Sequence, residues 1–221
     1  MVLTLYYHPF SSFCKKALIG LYETGVAFEP RLIDFQKPED GAALEKVWPF
    51  KRFPVLVDDA RGMTVPESSL VITYADHHYP GPERLVPVDF DAATRAHLFD
   101  RVIDNDLLHQ VNRVVFDQFR EEGQHDLVGV EQAKAQMAKT YGWLESQLGE
   151  QGWVAGEAFT LADCAAAPAL FYAGTIVPID GYPRLSAYYR RLRQRPSVLR
   201  VFEEARPYRH LYPLPWPDNY A

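Results

Sequence analysis

Three short segments hold the residues whose types and spacing can do chemistry. The first is His8-Pro9-Phe10-Ser11-Ser12-Phe13-Cys14-Lys15-Lys16, where a β-rich run gives way to a helical one. Free backbone N–H groups at a helix start favour an anion, and a serine there can donate a hydrogen bond to it. Ser11 can thus stabilise a thiolate or an oxyanion. Equally, Ser11 or Ser12 can simply cap the helix. Ser11 and Cys14 form an S-x-x-C pair, which lacks the second sulfur that dithiol exchange requires. Cys14 falls about one turn into the helix, where burial raises a thiol pKa; a small core-facing side chain is the other reading.

The second segment is Arg52-Phe53-Pro54-Val55-Leu56. A proline immediately before a strand is either an edge residue or a cis-proline in a tight turn. A cis bond would present the Val55 backbone to a ligand as a short sheet-like pair. The third segment is Val65-Pro66-Glu67-Ser68-Ser69, again a strand leading into a helix. Ser68 with free N–H groups suits a carboxylate and Glu67 suits an ammonium, together a receptor for an α-amino-acid end group. A capping serine and an acid offsetting the helix dipole explain the same residues.

The elements that would position these segments divide near residue 80. Val2–Tyr7 reads as a strand. Residues 12–24 place Phe13, Ala17, Leu18, Leu21 and Tyr22 on one helical face, and Gly25 supplies a stop. Phe28–Asp34 reads as a strand held at an edge by Pro30. A loosely structured segment comes next, then strands over Pro54–Val57 and Met63–Val65 and a helix from Glu67 toward Tyr79. Three prolines and a glycine in 80–91 mark a linker, and the rest reads as helix. Ala92–Arg120 carries a stripe of Leu98, Phe99, Val102, Ile103, Leu107, Val111, Val114 and Val115. Gln132–Leu148 and Leu161–Tyr172 are the next helices. Pro183 opens a fourth, ended by Pro196, and Ser197 caps a short fifth. Thr160 as N-cap with Asp163 at N3 forms a capping box at the start of the third. The expected domains are 1–80, a linker over 81–91, and an all-helical 92–221.

Composition narrows the function classes. The chain has 221 residues, 48% hydrophobic and 24% charged, which suits a folded globular protein. Its 23 Lys+Arg against 29 Asp+Glu give a net charge of −6, a poor match to nucleic acid. The arginines between Arg184 and Arg200 read as a solvated face. The two cysteines, Cys14 and Cys164, make no disulfide scaffold and suit a reducing compartment. His77-His78 is an adjacent pair that shares no helical face, so no metal site is expected. No basic segment precedes the apolar start. The uncharged run Cys164–Ile179 would span about 24 Å as a helix, short of the roughly 30 Å hydrocarbon core. A cytoplasmic protein with no membrane or nucleic-acid partner is expected.

Taken in order, the serine-containing turn, the x-Pro-Val-Leu strand, the Glu67-Ser68 helix start, the proline-rich linker and Thr160-Leu161-Ala162-Asp163 resemble a soluble, cytosolic glutathione S-transferase. The resemblance covers essentially the whole chain, with a serine-type first turn. It implies an α/β thioredoxin-like N-terminal domain plus an all-α C-terminal helical domain. It implies glutathione as co-substrate, no metal, a homodimer, and attack of the activated thiol on a small hydrophobic electrophile, as in detoxification. Ser11 would be catalytic, with Tyr7 in reserve. Glutathione would be held by Lys37, Arg52, Phe53, Pro54, Val55, Glu67 and Ser68. The second substrate would meet Phe10, Leu107, Val111, Tyr208 and Tyr212. A glutathione-dependent disulfide or peroxide reductase, and a non-enzymatic glutathione- or protein-binding member, remain open. Two departures stand out: Trp48-Pro49-Phe50-Lys51 replaces the Asn-Pro-x-Gly of many relatives, and no cysteine occupies position 11.

Overall fold

The computed structural model describes residues 3–216; Val2, expected in the first strand, lies outside them. A four-stranded sheet has the order β2-β1-β3-β4, built from β1 (Leu3–Tyr7), β2 (Glu29–Leu32), β3 (Val55–Asp58) and β4 (Met63–Pro66). β2 runs parallel to β1, and β3 and β4 run antiparallel to their neighbours. Pro30 therefore sits on an edge strand, where its missing N–H costs no ladder bond. The N-terminal half is a thioredoxin-like α/β domain and the C-terminal half is helical.

α1 (Ser12–Thr24) and α3 (Ser68–His78) pack beside the sheet. Ser11 is the N-cap of α1: its Oγ accepts from the Cys14 N–H at 3.3 Å. Gly25 ends the helix at φ 70°, a left-handed conformation that favours glycine. The segment expected to be loose contains α2 (Pro38–Val47). Pro38 at its first turn, Glu39 and Asp40 after it and Lys46 near its end are ordinary helix signals. They were hidden because only Asp40 and Leu44 are buried, so α2 has almost no apolar stripe.

The stripe expected over 92–120 is not one helix. It is α4 (Phe90–Val102), a π-helical segment (Ile103–Leu108) and α5 (His109–Asp117). Leu98, placed on the buried stripe, is 52% exposed. α6 (Leu127–Gln147) starts earlier than expected because Asp126 caps it, its carboxylate accepting from Gly129 N–H at 2.8 Å. α7 (Leu161–Ala173) is buried along its whole length. α8 (Pro183–Gln194) and α9 (Pro196–Ala205) come next, then a 3-10 turn (Arg206–Leu211). Ser197 does not cap α9. Pro196 opens that helix, and the Ser197 hydroxyl donates to Glu23 across the domains. The C-terminal arginines are not one solvated face either. Arg195 is bidentate to Glu23 at 2.6 and 2.7 Å and lies 3.9 Å over the Phe159 ring. No helix among the described residues is long and apolar enough to cross a membrane.

The capping box forms at α7. The fully buried Asp163 carboxylate accepts from Thr160 N–H (2.8 Å), Val154 N–H (3.0 Å) and the Tyr188 hydroxyl (2.6 Å). Burial pushes its pKa up against these hydrogen bonds and a fourth from the Thr160 hydroxyl. Asp163→Ala removes a cap and strands buried donors, so urea unfolding should show a loss of about 3 kcal/mol. A loss below about 1 kcal/mol would mean that water replaces the carboxylate.

Candidate functional site

Two cavities meet at the C-terminal end of β1. One, of about 470 Å³, is walled by Phe10, Phe13, Phe53, Val111, Val115, Phe116, Phe119, Tyr172 and Tyr212 and is largely apolar. Ser11 lies in its wall. The other, of about 140 Å³, is smaller and more polar, walled by Trp48, Pro54, Glu67, Ser68, Arg101, Asp104, Asn105 and His109. Phe13, Arg52 and Phe53 belong to both walls, so the two are chambers of one site.

Ser11 serves as cap and as site residue at once. Its oxygen accepts from the Cys14 N–H, yet a hydroxyl also carries one donor. Among the described residues that hydrogen has no acceptor, so it is free for an anion in the cavity. Cys14 is fully buried and burial pushes its thiol up to about 12, which disfavours a Cys14 thiolate for exchange chemistry. His8, also in the apolar wall, accepts the Phe10 N–H on Nδ1 at 3.2 Å, and burial pushes its pKa down. With Nδ1 accepting, the neutral ring carries its proton on Nε2.

The polar chamber is shaped by unusual backbone. The Phe53–Pro54 bond is cis, and Glu67 sits at φ 69° as the residue before α3. Lys51, where the resemblance leads one to expect glycine, adopts φ 52°, so the lysine takes the left-handed turn itself. Arg52 lies 3.5 Å from the Glu67 carboxylate. Ser68, at the first helical position of α3, is buried.

A charged cluster floors this chamber and ties the domains together. Lys16 of α1 is fully buried; its Nζ is 2.5 Å from Asp100, 2.6 Å from Asp104 and 2.7 Å from Ser69 Oγ. Arg101 adds contacts of 2.7 Å to Asp100 and 2.5 Å to Asp104. Burial acts to raise both carboxyl pKa values. At Asp100 the contacts to Lys16 and Arg101 win and hold it below the usual range, while at Asp104 burial wins and it is raised.

Ser11, Arg52, Phe53, Pro54, Glu67, Ser68, Phe10, Val111 and Tyr212 are all in the walls of this two-chamber site. The other residues named from the sequence are not. Val55 is a sheet residue, in register with Tyr6 and Pro66 and packed with Ile33 and Leu44; Phe53 is the cavity residue instead. Leu107, inside the π segment, is fully buried in the core and lines neither chamber. Lys37 precedes α2 on the surface and lines neither chamber. Tyr7 and Tyr208 line a separate cavity of about 570 Å³ with Tyr22, Arg200 and Glu204, although the Tyr208 ring also meets His8 edge-on at 4.8 Å. Phe116, Phe119 and Tyr172 were missed. The first two extend the expected stripe, and only the fold shows which side they face.

Residues 5–83 match the family model "Glutathione S-transferase, N-terminal domain" and residues 127–191 match "Glutathione S-transferase, C-terminal domain". A stringent starvation protein A homolog of Coxiella burnetii is 27% identical over 92% of this chain and 93% of its own. Glutathione S-transferase theta-1 of Rattus norvegicus is 28% identical over 87% of this chain and 82% of its own. A glutathione S-transferase structure from Methylobacillus flagellatus, with glutathione bound, superposes with a TM-score of 0.83 at 22% identity, covering 90% of this chain and 98% of that one.

Proposed function

Because the chain belongs to the glutathione S-transferase family, we propose that it binds glutathione across the two chambers and transfers its sulfur to a hydrophobic electrophile. The observation that carries this reading is the uncommitted Ser11 hydroxyl in the wall of the apolar chamber, two residues before Phe13, which both chambers share.

Each part of glutathione meets suitable chemistry. The γ-glutamyl end carries an ammonium and a carboxylate. Glu67 attracts the first, and Ser68 with the N-terminus of α3 receives the second. The glycyl carboxylate falls to Arg52, the cation common to both chambers. The thiol then lies at the passage beside Ser11.

An ordinary thiol, with a pKa of about 8.5, is only a few per cent thiolate at pH 7. Lowering it by about two units requires roughly 2.7 kcal/mol of preferential stabilisation of the anion. A charge-assisted hydrogen bond from Ser11 contributes about 1.5–3 kcal/mol. The α1 dipole adds about 0.3–1 kcal/mol. The thiolate attacks a carbon of the electrophile held among Phe10, Val111, Phe116 and Phe119, and the leaving group departs with the bonding electron pair. The aromatic wall selects size and polarity rather than one compound.

Calorimetric titration with glutathione tests this directly, with Ser68→Ala beside the wild type. The expected result is micromolar-to-millimolar binding weakened about tenfold in Ser68→Ala, with kcat at saturating glutathione changed less than about twofold. Equal affinity in both proteins would place the γ-glutamyl end elsewhere.

A further inference from the structure

Lys15 and Lys16 are consecutive, and neither has any exposed surface. Lys16 meets two carboxylates. Lys15 meets none: among the described residues no acid lies within ion-pair distance of its Nζ. Its amine donates to the Phe10 carbonyl at 3.4 Å and makes a short hydrogen bond to the Tyr172 hydroxyl, which itself donates to the Phe10 carbonyl at 2.6 Å. Three ring faces surround it, with centroids at 4.7 Å (Phe10), 4.4 Å (Tyr172) and 5.3 Å (Phe171).

A buried lysine without a counterion is costly when charged, so such groups shed their proton. Burial indeed pushes the Lys15 amine well below the ordinary lysine value; nearby Cys14 opposes this and Arg209 of the 3-10 turn reinforces it. His8, across the chamber wall, is the other titratable group that senses Lys15. The surroundings also fit the charged form, since ring faces and two oxygens are what an ammonium prefers in place of water. The cage thus accepts either state.

Its position gives this significance. The Phe10 carbonyl belongs to the peptide bond that leads into Ser11. Covalent geometry plus one hydrogen bond to Ser11 places a bound sulfur within about 12 Å of Nζ, a range at which one charge biases another ionisation about tenfold inside a protein. Resting on the glutathione reading, we propose that Lys15 takes up a proton as the bound thiolate forms, so that the protein keeps part of the proton the thiol loses and meets the new anion with a new cation. The balance is one S–H bond broken and one N–H bond formed, and only the remainder of the proton passes to solvent.

The test counts protons. Glutathione sulfonate carries a permanent anion where the thiol stands and has no thiol proton to lose. Its binding is measured calorimetrically in buffers of different ionisation enthalpy, for wild type and Lys15→Met, across pH 5–9. A tenfold coupling gives a difference between the two proteins of about half a proton taken up at the pH of the maximum. With glutathione itself, the bound thiol of Lys15→Met should titrate about one unit higher, and at pH above that value the variant should release more protons than wild type. Binding by both proteins with identical proton counts would overturn the proposal. Binding of neither ligand to wild type would overturn the glutathione reading, and the proposal with it. Wild type carrying ¹³Cε-lysine gives the answer without the variant: a lysine signal that titrates below pH 9 and moves up on sulfonate binding supports the proposal, and its absence overturns it.

Discussion

Ser11→Ala should lower kcat/KM at pH 7 about 10- to 100-fold, because the bound thiol loses the Ser11 hydroxyl as a donor. The magnitude is that of a hydrogen bond to a charged acceptor, about 1.5–3 kcal/mol. The effect should be pH-dependent in a defined direction. The thiol pKa rises in the variant, so activity recovers as pH climbs past the new value and the two profiles converge above it. A second effect comes from the same atom. Ser11 Oγ caps α1 through the Cys14 N–H, so the variant should also unfold about 1 kcal/mol more easily. Ser11→Thr, which keeps both lone pair and proton, separates the two roles from mere crowding. A variant with lowered stability and an unshifted pH profile would show that Ser11 is only a cap, and would move attention to the free N–H groups of the helix.

Lys16→Met should cost about 3 kcal/mol in equilibrium unfolding, the low end for breaking a buried ion pair. Asp100 and Asp104, fully buried and 3% exposed, would be left with Arg101 alone. Arg101 spans both carboxylates but its side chain is 52% exposed, so water shares its charge. The deficit should shrink as pH falls from 7 toward 5. Without Lys16 the two carboxyls have folded-state pKa values above their unfolded ones, so the folded chain binds protons first and gains stability as pH drops through that window. Wild type should not show this gain to the same extent, since there Asp100 is held low and only Asp104 is raised. Urea midpoints at pH 5 and 7 check both statements. Equal loss at both values would mean that packing, not charge, is what Lys16 supplies. Because Lys16 joins α1 to α4 and to the π segment, the variant should also bind glutathione less tightly, as the floor of the polar chamber loosens.

Much of this site was legible because it rests on local rules. Ser11 is recognisable as a helix-start serine, Glu67-Ser68 as a strand-to-helix turn, and Thr160 with Asp163 as a capping box. Each depends on neighbours within four residues, and the structure forms each one. The missed α2 shows the limit of periodicity: its helix signals are at its ends, and a surface helix with one buried leucine has no stripe to read. The Leu107 placement failed for a different reason. Both Leu107 and Val111 lie on the expected apolar stripe, and both are buried in one core. What distinguishes them is only that Val111 also reaches the chamber wall, which apolar periodicity cannot show.

By itself, the sequence determined the thioredoxin-like plus helical order and the local starts at Ser11, Glu67-Ser68 and Thr160 with Asp163, since these depend on spacing, proline, glycine and short-range hydrogen bonds. Only the tertiary structure decided which side chains share a cavity, and that Lys15 and Lys16 are both inside. Lysine in an isolated helix belongs in water. Its burial is settled by what the second domain brings: two aspartates for Lys16, and, with Phe10, three aromatic faces and a tyrosine hydroxyl for Lys15. Those partners lie about 85 to 160 positions along the chain from the lysines they enclose, apart from Phe10, a separation across which no local pattern carries information.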